Sequence, residues 1–175
     1  MEIWQIVTGY LEENCYILVK DEKCLIVDPG DDVLKIQERI KNLEVLAILV
    51  THHHFDHVGA LKPLLKLYDV PVYDFSRIQE KDCVVGPFSF SIIYNPGHSK
   101  DSVSFYFEKE NVMFVGDFIF KGTIGRCDLE GGNFLEMKES LNKIKSYSNL
   151  TILYPGHGES TTLENEKNTN IYFTN

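Results

Sequence analysis

The sequence predicts an α/β protein in which two mixed β-sheets are sandwiched between helices. Three observations lead there. Short runs rich in β-branched and aromatic residues, separated by Gly-containing or polar turns, dominate the first third and the stretch from 83 to 116. Apolar residues at helical spacing interrupt those runs, giving the order β-rich, α, β, α, β-rich, α, β. Several runs, VLAILV (45–50) above all, are apolar at every position, as a strand covered on both faces must be.

Taken in order, EIWQIV, NCYILVK and KCLIV read as three strands. DPG closes the third, and Asp31 or Asp32 is expected to cap a helix carrying Val33, Ile36 and Ile40. VLAILV is the buried strand, and THHHFDHVG (51–59) hangs from its end, where open α/β sheets place their sites. Leu61, Leu65 and Tyr68 mark a second helix, with Pro63 confined to its first turn. VPVY opens a new strand region, followed by CVVGPFSFSIIY, SVSFYFEK and NVMFVGD, the last two joined by a tight KEN turn. GGNFLEMKESLNKIKSY reads as a third helix with Asn133 and Glu136 at capping-box spacing and an apolar stripe of Phe134, Met137, Leu141 and Ile144. TILYPGHG is a last buried strand, followed by a polar tail.

At 175 residues with no linker or convincing internal repeat, the chain is expected to be one domain, 1–175. An apolar content of 43% excludes disorder as the main state. The formal net charge of −9 repels nucleic acid phosphate and anionic membrane, so neither is an expected partner. No basic-then-apolar leader and no apolar run near 18 residues is present, and Cys15, Cys24, Cys83 and Cys127 form no CxxC pair. A cytoplasmic protein with reduced thiols acting on a small molecule is the expectation; the sequence sets no oligomeric state.

The THHHFDHVG loop holds four of the six histidines. His52 and His54 are two apart, so an extended strand end directs both rings to one side, and Asp56 and His57 follow within reach. Imidazole suits zinc or iron, and a carboxylate can bind or bridge two ions. The motif alone supplies too few ligands, but NPGHS, FVGD and YPGHG place His98, Asp117 and His157 after other strands. A lone loop histidine is more often a capping or surface residue, and His53, between two candidate ligands, is expected to point away. The joint confinement of the set to strand ends is what predicts a metal site.

This constellation resembles the metallo-β-lactamase superfamily, whose αββα sandwich carries an H-x-H-x-D-H motif followed by a His, a bridging Asp and a final His. The resemblance runs from Asp28 to His157. It implies that His52, His54 and His98 hold one divalent ion, that Asp56, His57 and His157 hold a second, and that Asp117 bridges them. Zinc is the first expectation for both, with iron or manganese possible. Asp28, in VDPG, matches a position that supports the ligands, with Thr51 beside it; the alternative for Asp28 is a turn into the helix.

Such a pair lowers the pKa of a shared water to about 7, and Asp56 is the residue expected to orient that water for attack on a carbonyl. No obvious side chain is available to protonate a leaving group, which favours a thiolate, from a thiol of pKa about 8.5, over an amine. GDFIFKGTIGRCDLEGGN and YPGHGESTTLENEKNTN are similar to the compact glyoxalase II-like hydrolases of the superfamily. That similarity implies thioester hydrolysis, with S-lactoylglutathione the representative substrate and Arg126 either meeting a glutathione carboxylate or pairing with Asp128. Full-length glyoxalase II enzymes carry a helical C-terminal domain, whereas 18 residues follow His157 here. The alternatives are an iron persulfide dioxygenase and a lactone or phosphoester hydrolase.

Overall fold

The computed structural model describes residues 1–80 and 82–174. The first sheet contains β1 (Glu2–Thr8), β2 (Glu13–Lys20), β3 (Lys23–Val27), β4 (Glu44–Leu49) and β5 (Val72–Tyr73), in that order. β1, β2 and β3 pair antiparallel, while β3, β4 and β5 pair parallel. The second sheet contains β6 (Cys83–Val85), β7 (Phe88–Tyr94), β8 (Val103–Phe107), β9 (Val112–Gly116), β12 (Ile152–Pro155) and β13 (Thr161–Thr162), with the order β13-β12-β9-β8-β7-β6. Between β9 and β12 in the chain lies a separate hairpin of β10 (Ile119–Phe120) and β11 (Thr123–Ile124).

Side-chain parity explains why the central strands are apolar throughout. Tyr16, Leu18, Leu25, Val27, Ala47 and Leu49 leave one face of the first sheet to meet Phe90, Phe105, Phe107 and Phe114 of the second. Their chain neighbours Ile17, Cys24, Ile26, Ile48 and Val50 point the other way. There they bury Ile36 and Ile40 of helix α1 (Val33–Ile40). The turn of helix α2 (Phe55–Val58) leads on to helix α3 (Leu61–Leu67), whose Leu64 packs into the same layer. On the far side, Met113, Val115 and Leu153 pack against Met137, Leu141 and Ile144 of helix α4 (Phe134–Ile144). The result is helix, sheet, sheet, helix, as the sequence predicts.

Four local expectations change. Asp32 precedes α1 at φ 53 and makes no capping bond, because that left-handed backbone turns its carboxylate to the N–H of Gly9, 3.2 Å away. Asp31 instead accepts the N–H of Asp32 at 2.8 Å, so neither acid caps the helix. At α4, Asn133 Oδ1 does accept the N–H groups of Leu135 and Glu136, at 2.9 and 3.3 Å. The reciprocal half of the box is missing, since the Asn133 N–H already donates to the Gly97 carbonyl at 2.8 Å. Phe134 is 44% exposed, at the edge of the stripe.

The largest difference is the polar tail, which folds into β13, helix α5 (Leu163–Thr169) and helix α6 (Ile171–Thr174). Leu163, Glu166, Asn170 and Phe173 are all buried there. Among the described residues, no helix is long and apolar enough to cross a membrane.

Candidate metal centre

β7, β9 and β12 run in one direction, so their C-terminal ends share an edge of the second sheet, and the end of β4 meets that edge at Thr51. Backbone bonds lock the two sheets together at that edge. The Val103 N–H donates to the Thr51 carbonyl at 2.9 Å, and the Asn14 N–H to the Gly156 carbonyl at 2.7 Å. The chain therefore delivers His52 and His54 after β4, His98 after β7, Asp117 after β9 and His157 after β12 to one place. The turn of α2 adds Asp56 and His57, so part of the expected loop is helical.

The side chains gather into two groups. In the first, His54 Nδ1 lies 3.1 Å from His52 Nε2 and 2.9 Å from His98 Nε2. In the second, His157 Nε2 lies 3.3 Å from Asp56 Oδ2, with His57 beside them. Asp117 stands between, its Oδ2 3.5 Å from His98 Nε2 and its Oδ1 3.3 Å from His57 Nε2. All seven residues named from the sequence converge.

The outer nitrogens are tied off, which fixes the tautomers. His57 Nδ1–H donates to Asp28 Oδ2 at 3.0 Å, and His98 Nδ1–H to the Arg126 carbonyl at 2.8 Å. His157 Nδ1–H donates to the Leu11 carbonyl at 3.1 Å. Thr51 Oγ1 gives its own hydrogen to Asp28 Oδ2 at 2.6 Å and so accepts from His52 Nδ1–H at 3.1 Å. Four rings thus turn Nε2 inward, the arrangement that metal-ligating histidines adopt.

A cation fits the groups left over. One imidazole proton can satisfy at most one of the close contacts of His54, leaving lone pairs facing each other. His57 Nε2 and Asp117 Oδ1 are buried and, their mutual approach being misaligned, have no hydrogen-bond partner. Burial opposes charge on His57, yet the carboxylates of Asp117 and Asp28 outweigh it and raise its pKa well above the imidazole range. Burial and the neighbouring His57 charge push His52 down. Asp117 stays ionised because His57 outweighs its burial. Gly156 makes room for this set: a Cβ there would stand 2.5 Å from His57 Cε1 and collide with Asp117 Oδ1.

Asp28 is far more than a turn residue. It is 2% exposed, adopts φ 46, and accepts Thr51 N–H at 2.7 Å as well as the two bonds above. His53 points away, its Nδ1 2.8 Å from Asp101 Oδ2. Glu13, which no motif singles out, is buried behind His57; its Oε2 accepts the Thr8 hydroxyl at 2.8 Å, and Oε1 has no hydrogen-bond partner. Burial pushes its pKa up to about 9.

The centre opens into a cleft of about 880 Å³ whose walls include Leu11, Phe55, Phe120, Ile124 and Leu129. Arg126 lines it too, with its guanidinium held by Asp128 in two bonds of 2.8 Å. Both side chains are fully exposed, so solvent screens this pair and a competing carboxylate displaces Asp128 at little cost. All four cysteines are free, and Cys127 is half-buried beside the Gly125 carbonyl.

Comparison with known proteins agrees with this geometry. The pattern described as the Metallo-beta-lactamase superfamily matches residues 8–77 and 74–157. The chain is 34% identical to the probable metallo-hydrolase YqgX of Bacillus subtilis (strain 168), over 94% of this chain and 93% of that protein. It is 28% identical to the hydroxyacylglutathione hydrolase GloC of Haemophilus influenzae, over 98% of each. Among solved structures, BLEG-1 B3 metallo-beta-lactamase superposes with a TM-score of 0.94 at 33% identity, covering 99% of this chain and 100% of that one. TTHA1623 in a di-iron-bound form gives a TM-score of 0.87 at 33% identity, covering 97% and 99%. With its αββα fold, its converged His/Asp set and these matches, the chain belongs to the metallo-β-lactamase superfamily.

Proposed function

We propose that this chain is a dinuclear metal-dependent hydrolase of thioesters, with S-lactoylglutathione as the representative substrate. The observation that carries the reading is the pair of ligand groups sharing Asp117 at the floor of an open cleft. His52, His54 and His98 would hold one divalent ion, Asp56, His57 and His157 the other, and Asp117 both. When bound, such a pair supplies an acidified water and a positive charge for the developing oxyanion.

The residues of the chain do the rest. Asp56 is kept ionised because His157, whose Nε2 lies 3.3 Å from its Oδ2, and the nearby His57 together outweigh its burial, so its carboxylate can accept a proton from the attacking water. Asp28, Thr51 and the carbonyls of Leu11 and Arg126 hold the imidazoles with Nε2 inward. The apolar walls exclude bulk water around the acyl group, and Arg126 receives a carboxylate of the thiol half once Asp128 is displaced. A thiolate departs with little protonic help, which suits a cleft whose titratable groups are mostly committed to the metal set. The similarity to a hydroxyacylglutathione hydrolase supports the substrate class, and the di-iron form of TTHA1623 supports two ions while leaving iron beside zinc as the metal.

The test is turnover of S-lactoylglutathione by zinc-loaded protein beside His54→Ala and Arg126→Ala. Efficient hydrolysis that vanishes in the first and weakens mainly in KM in the second supports the reading; an intact thioester refutes it. The fit to BLEG-1 favours one second reading, β-lactam hydrolysis. A chromogenic cephalosporin assayed alongside decides between them, and oxygen uptake by iron-loaded protein decides against either in favour of persulfide oxidation.

A further inference from the structure

One wall of the cleft is held by the segment that composition marks as a tail. Phe120, Thr123 and Ile124, which line the cleft, belong to the β10–β11 hairpin, whose strands are only two residues each. So short a ribbon does not keep its own place. Its base is fixed by Ile119, buried in the layer of Leu163 and Phe173, and its tip is held from behind.

Glu166 of α5 is completely buried, and its four partners are all neutral donors. Its Oε2 accepts the N–H of Gly122, at the hairpin tip, at 2.9 Å and Asn170 Nδ2 at 2.8 Å. Its Oε1 accepts the Thr161 hydroxyl at 2.6 Å and Asn165 Nδ2 at 2.9 Å. Asn170, also buried, donates a second hydrogen to the Thr123 carbonyl at 3.0 Å. Burying a carboxylate whose direct partners are all neutral is costly. The four donors explain why a carboxylate rather than an amide stands there, because an amide would turn an N–H toward two of them.

We infer that Glu166 and Asn170 are positioning residues that set the substrate-facing wall of the cleft through Gly122 and Thr123. The clamp acts on a hairpin that begins two residues after Asp117 and leads into Arg126, whose carbonyl orients His98. Loss of the clamp therefore releases the hairpin tip and the wall it forms, while the turn at Gly125, whose N–H donates to the Phe118 carbonyl at 3.3 Å, keeps the Arg126 carbonyl on His98, and the ligands stay anchored by their own strands.

The test uses the full chain with Glu166→Gln and Asn170→Ala, and with Ile36→Val in the opposite helical layer as a control for lost stability. Two readouts are taken: trypsin cleavage after Lys121, which is exposed at the hairpin tip, and KM and kcat for S-lactoylglutathione. Both clamp variants should be cut after Lys121 at least tenfold faster than wild type and show a KM raised about tenfold, with kcat within threefold and metal content unchanged. Ile36→Val should show neither change. Wild-type cleavage rates in folded clamp variants overturn the inference, as does a loss confined to kcat. Should Glu166→Gln not fold, Asn170→Ala decides alone. The KM readout rests on the thioester reading; a wild-type protein inert toward the thioester refutes that reading, and the cleavage rate then decides the clamp by itself.

Discussion

Asp28→Asn isolates how far a buried carboxylate governs the metal set. Asp28 sits at φ 46, a conformation Asn adopts as readily as Asp, so the backbone has no reason to move. The carboxylate accepts Thr51 N–H at 2.7 Å, Thr51 Oγ1–H at 2.6 Å and His57 Nδ1–H at 3.0 Å. An amide has one accepting atom, and its NH₂ meets a donor in either orientation. If the amide oxygen keeps the Thr51 N–H, the hydroxyl and His57 lose their acceptor; if it turns to them, the backbone N–H is orphaned. Removing such support from a histidine that would hold metal costs about 10- to 100-fold in metal affinity, or roughly 1.4 to 2.8 kcal/mol. Zinc competition against a colorimetric chelator measures this directly, with thermal unfolding of both metal-free proteins as the check on folding. Wild-type affinity in a folded Asp28→Asn protein would refute the argument that Asp28 acts through His57.

Further outcomes follow from the same geometry. Gly156→Ala drives a Cβ into His57 and Asp117, and a shift of about 1 Å in reacting groups costs about 100-fold, so kcat/KM should fall by that order with secondary structure intact; unchanged turnover contradicts the packing. Phe105→Ala, in the layer between the sheets, should cost about 3–5 kcal/mol in urea unfolding, and a loss under 1 kcal/mol would show that this layer is not the core. Asn133→Ala should cost about 1 kcal/mol through the lost α4 cap. Glu13 gives a pH dependence: its folded-state value of about 9 lies above its ordinary 4.5, so the folded chain keeps a proton that the unfolded chain has lost. That contribution to stability is fully present below about 4.5 and declines as pH rises toward 9. In metal-free protein Glu13→Gln should flatten this decline, and an unchanged slope would mean that Glu13 is ionised in the fold.

The layers and the seven converging residues were legible because both follow from strand arithmetic. Parity makes a doubly covered strand apolar throughout, as in VLAILV, and a strand end is where the next polar side chain must face a site. The partners that fix the histidine tautomers were only half legible. Asp28 and Thr51 are side chains in recognisable positions, but Leu11 and Arg126 contribute carbonyls, which every residue has. Glu13 escaped notice because an acid flanking an apolar strand is ordinarily solvated, and only the approach of Thr8 and His57 encloses it. The tail is illegible in the sequence for the same kind of reason. Its charged and amide residues predict solvent exposure, whereas Glu166 and Asn170 are buried in a network whose members lie as far apart as Gly122 and Asn170. Asp32 shows the local limit: an acid before a helix reads as a cap until its backbone turns left-handed.

The central claim is that two ions held by one shared set carry out thioester hydrolysis, and a metal titration tests it most directly. Metal-free protein is titrated with zinc while loss of S-lactoylglutathione is followed at each addition. Activity that rises until two equivalents per chain are bound, and that a chelator abolishes reversibly, is the predicted result. Hydrolysis that saturates at one equivalent, or none at any loading, would contradict it.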